Sequence, residues 1–376
     1  MAISFIHTAD LQIGKPFGNF GSDQRTLLRL QRLKTLRRIA EIGSERKVDA
    51  VLVAGDVFET AAASNDTAHS LLYAMEPYKG PWVLSTGNHD PAIAESVWAR
   101  LQALGLPANV RLVQTPDAIT LADGRMIVLT APLRRKHETE DLTADWDTFK
   151  TPEGVLRIGL AHGSVTNCGP AGTEATNPIA GDRDAQARLD YLALGDWHGT
   201  MQVGDRTWYS GTPEPDRFKA NDSGNILLVR LDRPGSTPEI EKVRLAHYNW
   251  VHLQHNLNGS DDLETLEVKF KTLGEPCDRS VVAISLTGTI DLATRQKLDR
   301  LLTTWRARFL SLQENLEGLL RRPTDTDLDR IDTGGFVRTA LNRLRSIQDD
   351  TTNPNQTLAT GAIELLYEIH TGAESR

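Results

Sequence analysis

Apolar runs alternate with helical repeats through the first hundred residues. A short apolar run over 3–9 predicts a strand, and leucine or isoleucine recurs at helical spacing at positions 27, 30, 33, 36 and 39 within a predicted helix over 26–47. Further predicted strands cover 49–54 and 81–85, and predicted helices cover 62–75 and 94–104. This alternation is typical of an α/β fold. Within the first strand, His7 is in phase with Phe5, which predicts a structural role for its imidazole.

The pattern becomes richer in strands after residue 110. Predicted strands cover 110–113, 119–121, 126–130, 156–161, 191–194, 207–210 and 226–231. Turns of the Asp-Gly type, such as 122–124, favour antiparallel hairpins between them. A helical first half followed by a strand-rich second half predicts two packed sheets flanked by helices, which is a four-layer α-β-β-α sandwich.

The character of the chain changes again near residue 239. Predicted strands at 243–255 and 280–287 alternate with predicted helices at 261–273 and 291–308, which indicates a small α+β module. From about residue 325 the pattern is polar and helical, with a last apolar patch over 361–370. The predicted domains are therefore a main domain at 1–238, an α+β capping domain at 239–324 and a helical tail at 325–376.

Composition narrows the class of protein only slightly. The chain has 376 residues, 39% of them hydrophobic and 24% charged, with a net charge of -8, which suits an ordinary globular protein and argues against a uniformly basic one. Cys168 and Cys277 are far apart and fit neither a zinc motif nor a disulfide framework, so a reducing compartment is favoured. Because the sequence has neither a basic, apolar leader nor a stretch of about 20 apolar residues, we expect a cytoplasmic protein without a membrane segment.

Five short segments each place metal-ligating side chains at the end of an apolar run. They are Asp10-Leu11-Gln12, Gly55-Asp56, Gly87-Asn88-His89-Asp90, His162-Gly163 and Gly195-Asp196-Trp197-His198. Ligands of open α/β sheets gather at the carboxyl ends of strands, where loops converge above a rigid sheet. A single aspartate there is common as a helix cap, but the mixed set of Asp, Asn, Gln and His predicts a two-metal phosphoesterase. Two divalent cations about 3.5–4 Å apart activate a nucleophile and neutralise the phosphate that would otherwise repel it.

This set of motifs resembles the calcineurin-like metallophosphoesterase superfamily over roughly the first 220 residues. Within that superfamily it is similar to the SbcD-type DNA repair nucleases, chiefly through the string Tyr209-Ser210-Gly211-Thr212-Pro213-Glu214 after the last motif. The other strings that carry the resemblance are His7-Thr8-Ala9-Asp10, Gly55-Asp56-Val57-Phe58 and Gly87-Asn88-His89-Asp90. The resemblance implies a metallophosphoesterase sandwich and a metal-dependent DNA nuclease acting in repair.

The resemblance also implies a role for each motif residue. The ligands of the first metal would be Asp10, Gln12, Asp56 and His198, and those of the second would be Asp56, Asn88, His162 and Asp196. Asp56 would bridge the two ions, and a hydroxide between them would attack phosphorus in line. Asn88 and His89 would steady the phosphate, His89 would assist the leaving oxygen, and Asp90 would orient the His89 ring.

Two positions depart from the usual motifs of the superfamily. The first motif ordinarily reads Asp-x-His and here ends in Gln12, and the last ordinarily reads Gly-His-x-His and here has Asp196 in place of its first histidine. Both replacements keep an oxygen that can bind a metal. Because oxygen ligands suit harder cations, we expect two divalent ions with Mn²⁺ preferred over Zn²⁺.

Two other functions fit the same residues. One is a phosphatase or cyclic nucleotide phosphodiesterase that acts on small esters, and the other is a non-catalytic DNA-binding scaffold that has lost two histidines. The basic residues of the first helix and the run Arg134-Arg135-Lys136 are either solvated surface or contacts to nucleic acid phosphates. For a nuclease, the partners implied by the resemblance are single-stranded or hairpin DNA, an SbcC-like coiled-coil ATPase bound through 361–370, and a second copy of the chain. Both endonuclease and exonuclease modes stay open.

Overall fold

The computed structural model describes residues 2–166, 176–273, 276–321 and 335–374, together with Pro323 and Leu328. Its contacts divide the chain into two compact units, Met1–Tyr248 and Asn249–Arg376. The division into three domains at 238/239 and 324/325 stays a prediction. Cys168 lies outside the described residues. No helix in the described part of the chain combines the length and apolar character that crossing a bilayer requires.

The first unit is built from strands and helices that follow the predicted order closely. Its helices are α1 (Ser22–Arg46), α2 (Asn65–Met75), α3 (Val97–Leu104) and the one-turn α4 (Arg183–Gln186). Its strands are β1 (Ile3–Thr8), β2 (Ala50–Val53), β3 (Trp82–Ser85), β4 (Val110–Val113), β5 (Ala118–Leu121), β6 (Met126–Ala131), β7 (Leu156–His162), β8 (Ser164–Val165), β9 (Pro178–Ile179), β10 (Tyr191–Gly195), β11 (Met201–Gln202), β12 (Thr207–Tyr209), β13 (Asn225–Leu231) and β14 (Glu239–Arg244).

Two six-stranded sheets form the centre of this unit. The first has the order β14-β13-β1-β2-β3-β4, and its strands β1 to β4 run parallel. The second has the order β11-β12-β10-β7-β6-β5, and its four inner strands are also parallel. Antiparallel hairpins, predicted for several of these strands, are present at its edges in the β5–β6 and β11–β12 pairs, whereas its centre is parallel.

Three apolar layers hold the sheets and helices together. Leu36 and Ile39 of α1 and Leu71 of α2 are buried against the outer face of the first sheet. Phe5 and Val128 belong to the layer between the two sheets. The outer face of the second sheet is covered by a 3-10 turn at Ala144–Thr148 and by segments around α4. The predicted α-β-β-α architecture is therefore confirmed, with a thin fourth layer in the described residues.

His7 links the two sheets, as its position in β1 predicts. Its side chain is fully buried, with Nδ1 at 2.9 Å from the Tyr191 hydroxyl and Nε2 at 3.1 Å from the Leu194 carbonyl oxygen, both on β10. Burial lowers the pKa of His7 to about 3, although the bond to Leu194 opposes that shift. The imidazole is therefore neutral in the folded protein near neutral pH.

We expect this neutral histidine to make stability depend on pH. The unfolded chain takes up a proton near pH 6.5 and the folded chain only near pH 3, so the free energy of unfolding falls as pH drops between these values. The slope from this group approaches about 1.4 kcal/mol per pH unit. Urea unfolding at pH 7.5 and at pH 5 should show a smaller loss for His7→Gln than for the wild type. Equal losses would contradict the assignment.

The second unit contains three parallel strands connected by helices. Its elements are β15 (Asn249–Leu257), α5 (Ser260–Thr272), β16 (Ser280–Ile290), α6 (Leu292–Arg306), β17 (Ser311–Arg321), α7 (Phe336–Asp349) and α8 (Gln356–Glu374). The predicted strand over 243–255 is wrong, because β14 ends at Arg244 in the first sheet and β15 begins at Asn249 in this one. Strand β17 was not predicted, because its Gln313-Glu314-Asn315 segment interrupts the apolar run.

The last apolar patch, over 361–370, is divided between the interior and the surface. Ile363 and Tyr367 are buried in a cluster with Leu341 of α7. Leu365 and Ile369 are exposed by 53% and 65% of their side-chain surfaces. Half of the patch therefore stabilises the second unit itself, and the other half is accessible.

Candidate metal centre

Three loops at the carboxyl edge of the first sheet carry Asp10, Asp56 and Asn88. They follow the adjacent parallel strands β1, β2 and β3. The first two loops are tied together because the Asp10 amide donates to the Gly55 carbonyl at 3.1 Å and the Gln12 amide donates to the Asp56 carbonyl at 2.9 Å. The parallel pairing thus brings together motifs that are far apart in sequence.

The backbone is strained at several of the predicted ligands. Asp10, Gln12, Asp56 and Asp196 have φ angles of 53°, 42°, 51° and 99°. Positive φ is uncommon in residues other than glycine, and such strain persists where the surrounding structure enforces it, often at functional sites. The strained turns aim these side chains at one point, a common arrangement in sites that bind ligands or metals.

Glycines precede two of the ligands because there is no room for a side chain. A Cβ atom on Gly55 would lie 2.3 Å from Nδ1 of His162, and one on Gly87 would lie 2.2 Å from Oδ1 of Asp56. Gly55 also has a φ of 83°. The Gly-Asp and Gly-Asn pairs therefore let the ligand loops pack directly on one another.

The second sheet contributes His162 and Asp196 to the same place. Nδ1 of His162 lies 2.8 Å from the Ala54 carbonyl oxygen, which fixes the proton on Nδ1 and leaves Nε2 to face the site. Nε2 then lies 3.6 Å from Oδ1 of Asp56 and 3.9 Å from Oδ1 of Asp196. Ser164 donates to the other oxygen of Asp196 at 2.8 Å, which holds that carboxylate in place.

These side chains form a compact group of electron donors. Ligand atoms of Asp10, Asp56 and His162 all lie within 4.8 Å of one another, and all three residues are buried. The amide of Asn88 faces the same group, with Oδ1 at 2.9 Å from Nε2 of His162. If the NH₂ of Asn88 faced the site, it would donate to both oxygens of Asp56. In the observed orientation the amide oxygen faces the site, where its neighbours are acceptors. A cation held between this oxygen and those neighbours would satisfy all of them. The group fits a divalent metal.

The electrostatics of the site favour the binding of cations. Burial raises the pKa of Asp10 to about 6, although His198 and His162 oppose the rise. Burial would lower the pKa of His162, but the carboxylates of Asp56, Asp10 and Asp196 outweigh it and raise that pKa to about 9. A divalent ion would replace these protons and satisfy the same carboxylates.

His198 and Gln12 lie on the other side of Asp10. Nε2 of His198 is 4.0 Å from Oδ1 of Asp10, and its Nδ1 is 3.5 Å from Oδ1 of Asp216. The amide nitrogen of Gln12 is 3.3 Å from Nε2 of His198, while its oxygen accepts a hydrogen bond from Lys15 at 3.1 Å. The structure therefore brings all seven predicted ligands to one site, but Gln12 presents its NH₂ rather than its oxygen.

The predicted role of Asp90 in orienting the His89 ring is wrong. The carboxylate of Asp90 accepts bonds from the backbone amides of Gly87 and Phe58 at 2.8 and 2.9 Å. Nδ1 of His89 instead lies 3.1 Å from the carbonyl oxygen of Glu59, and Nε2 lies 4.0 Å from Oδ2 of Asp56. Asp90 thus shapes the loop, and a backbone carbonyl orients the histidine.

Four residues that support the site were not predicted as part of it. Arg32 is buried and donates to the carbonyl groups of Asp10 and Leu11 at 3.1 and 2.8 Å. Lys15 contacts Gln12, and Asp216 contacts His198. Glu214 accepts from Thr35 of α1 at 2.8 Å. The position of Arg32 in phase with the buried leucines of α1 was a signal for its burial.

Comparison with known proteins places the chain in a family. A family model for calcineurin-like phosphoesterases matches residues 3–200, which contain all the predicted metal ligands. This chain belongs to the calcineurin-like phosphoesterase family.

Three curated relatives are similar at low identity. The chain is 28% identical to the SbcD component of the nuclease SbcCD from Rhodobacter capsulatus, over 56% of this chain and 62% of that protein. It is 23% identical to the DNA double-strand break repair protein Mre11 of Methanopyrus kandleri over 92% of this chain and 82% of that protein. It is 22% identical to the metallophosphoesterase YhaO of Bacillus subtilis over 64% of this chain and 60% of that protein. The chain therefore spans less than two thirds of the length of two of these relatives.

Proposed function

We propose that this phosphoesterase is a DNA nuclease that acts in repair and prefers Mn²⁺. The observation that carries the proposal is the extent of its similarity to the Mre11 protein, which covers 92% of this chain and so reaches beyond the matched phosphoesterase domain into the second unit. Similarity confined to the phosphoesterase domain would not distinguish a nuclease from a phosphatase for small esters. The oxygen-rich ligand set favours Mn²⁺ over softer ions.

The ligand positions suggest how two ions would be held. Asn88, His162 and Asp196 would hold one ion, Asp10, Gln12 and His198 would hold the other, and Asp56 would contact both. When bound, such a pair supplies an activated water at neutral pH and neutralises the charge of the scissile phosphate.

His89 would contact the phosphate and pass a proton to the leaving oxygen. Its side chain is 37% exposed, while that of Asp56 beside it is only 2% exposed. The Glu59 carbonyl anchors Nδ1, which leaves Nε2 as the atom that meets substrate. Asn88 would steady the same phosphate from the buried side of the site.

A basic loop beside the metal centre would contact the DNA backbone. Residues 134–136, Arg-Arg-Lys, follow β6 at the same edge of the second sheet as His162, and all three side chains are exposed. The loop is attached to the Asn88 loop because Thr86 donates through its hydroxyl to the Leu133 carbonyl at 2.7 Å. This position supports the proposal that the loop would contact a phosphate chain entering the site.

We expect Arg134→Gln/Arg135→Gln to weaken DNA binding about tenfold. The slope of log affinity against log salt concentration should become shallower by about one to two, which corresponds to the loss of one or two phosphate contacts. The matched control is Lys297→Gln/Arg300→Gln, which removes the same charge from the exposed face of α6. Fluorescence anisotropy with labelled single-stranded DNA at several salt concentrations measures both. Equal losses in the two variants would assign the effect to net charge and not to this loop.

Partners and location complete the proposal. DNA with single-stranded or hairpin character is the proposed substrate, and the exposed half of the 361–370 patch is the proposed contact for an SbcC-like ATPase. A homodimer and a cytoplasmic location are proposed on the same similarity to the repair nucleases.

A substrate panel tests the proposal against its alternatives. Purified protein is incubated with labelled single-stranded, hairpin and circular DNA, and separately with p-nitrophenyl mono- and diesters, under Mn²⁺, Mg²⁺ or Zn²⁺. We expect DNA cleavage that is fastest with Mn²⁺, and opening of circles would identify an endonuclease. Hydrolysis of the small esters without any DNA cleavage would favour a phosphatase. DNA binding without hydrolysis of any substrate would favour a scaffold.

A further inference from the structure

The two sides of the metal centre differ in the polar groups that they present. On the side of His162, the groups are carboxylates, an imidazole nitrogen and the amide of Asn88. Among the described hydrogen bonds, no lysine or arginine binds the amide oxygen of Asn88. Within the described residues, that side therefore presents no lysine or arginine that would compete with a metal for the oxygen of Asn88.

On the side of His198, hydrogen-bond donors surround the ligand atom. Nε2 of His198 faces Asp10, yet the NH₂ of Gln12 lies 3.3 Å from it and the guanidinium of Arg217 lies 3.5 Å from it. A histidine nitrogen that accepts bonds from protein donors must lose them before it binds a metal. The second cation position thus starts with competitors already in place.

Lys15 is the cause of this orientation of Gln12. Its ammonium donates to the amide oxygen of Gln12 at 3.1 Å, and it is held there by Asp216 at 3.0 Å and by Glu59 at 3.3 Å. The side chain of Lys15 is only 17% exposed, so water screens its charge weakly. Lys15 therefore both withholds the ligand oxygen of Gln12 and places a positive charge next to the cation position.

The nearest carboxylate on this side, that of Asp216, already has several partners. It is buried and is shared among Lys15, Arg217 and His198. The three partners leave it little capacity to attract a further cation.

We propose that the two cation positions are unequal, with one tight site at Asp56, Asn88, His162 and Asp196, and a weak site at Asp10, Gln12 and His198 whose affinity Lys15 lowers. This inference rests on the metal centre of the proposed function, and it does not depend on whether the substrate is DNA. Lys15 is here a residue that sets metal affinity, and it acts through Gln12 and through its own charge.

Titration of the full chain with Mn²⁺ alone tests the proposal. Isothermal calorimetry and manganese EPR count the ions and rank their affinities without any turnover. For the wild type we expect one tight ion, a second ion about tenfold weaker, and an EPR spectrum of isolated ions at one equivalent of Mn²⁺. Lys15→Met should strengthen the second site about tenfold and leave the first unchanged. Gln12→His should also strengthen the second site, because it replaces an amide with an imidazole nitrogen, a stronger ligand for a divalent transition metal.

The control and the outcomes separate this proposal from the nuclease function. Lys79→Met removes an exposed lysine in the connection between α2 and β3 and should change neither site. Two equal sites in the wild type, or a second site that Lys15→Met leaves unchanged in a variant whose circular dichroism is native, would overturn the proposal. Unequal sites in a protein that cleaves no DNA would support it and contradict the nuclease. Absence of Mn²⁺ binding in every variant would overturn both.

Discussion

Asp56→Asn should reduce phosphodiester hydrolysis by about a thousandfold, the scale of loss seen when a principal source of charge stabilisation is removed. Asp56 lies 3.6 Å from His162 and 4.0 Å from His89, and its ligand atom is within 4.8 Å of that of Asp10. Asparagine keeps the shape of the side chain and an oxygen that can accept the 2.9 Å bond from the His89 amide. The variant therefore removes the charge that the two proposed ions would share while retaining the local backbone geometry.

Two measurements check this prediction together. Hydrolysis of a chromogenic phosphodiester under Mn²⁺ gives the activity, and the rise in Tm on adding Mn²⁺ gives metal binding. We expect the variant to lose both. Asp66→Asn is the matched control, because Asp66 is exposed in the first turn of α2. Full activity in Asp56→Asn would contradict the bridging role.

Arg32→Met should lower the free energy of unfolding by about 3–5 kcal/mol, the usual effect of removing one partner from a buried charged network. The guanidinium is fully buried and supplies donors to three backbone carbonyls, those of Asp10, Leu11 and Glu214. Methionine fills much of the same volume but leaves these oxygens without a donor in the interior. Metal affinity should fall as well, because the first ligand loop loses its support.

The control for this variant lies on the same helix. Arg29→Met removes an arginine that is exposed on α1, so we expect a change within about 0.5 kcal/mol. Urea unfolding followed by circular dichroism compares the two. A similar small change in both variants would show that the buried network around Arg32 contributes little to stability.

The order of the elements and the membership of the site were predictable from local sequence. Buried parallel strands such as β2 and β3 are short apolar runs, and the polar residues that follow them must lie at one edge of the sheet. This rule brings Asp10, Asp56 and Asn88 together without any knowledge of pairing. The flanking helices were predictable as well, because their leucines recur at helical spacing.

Strand pairing and side-chain partners were not predictable in this way. Turns predicted antiparallel hairpins between several strands, such as the β5–β6 pair, but gave no sign that the central strands of the second sheet are parallel. Such pairing depends on contacts across the sheet and not on the turn alone. The bonds from Lys15 to Asp216 and from His89 to the Glu59 carbonyl likewise join separate loops, so sequence spacing carries no signal for them.

The central claim is that these converging residues cleave DNA with the help of divalent metal. The most direct measurement is cleavage of labelled circular single-stranded DNA under Mn²⁺ by the wild type and by natively folded Asp56→Asn, side by side and with EDTA as a blank. The account predicts cleavage by the wild type, and only background with EDTA or with the variant. No cleavage by the wild type, or equal cleavage by the two proteins, would contradict it.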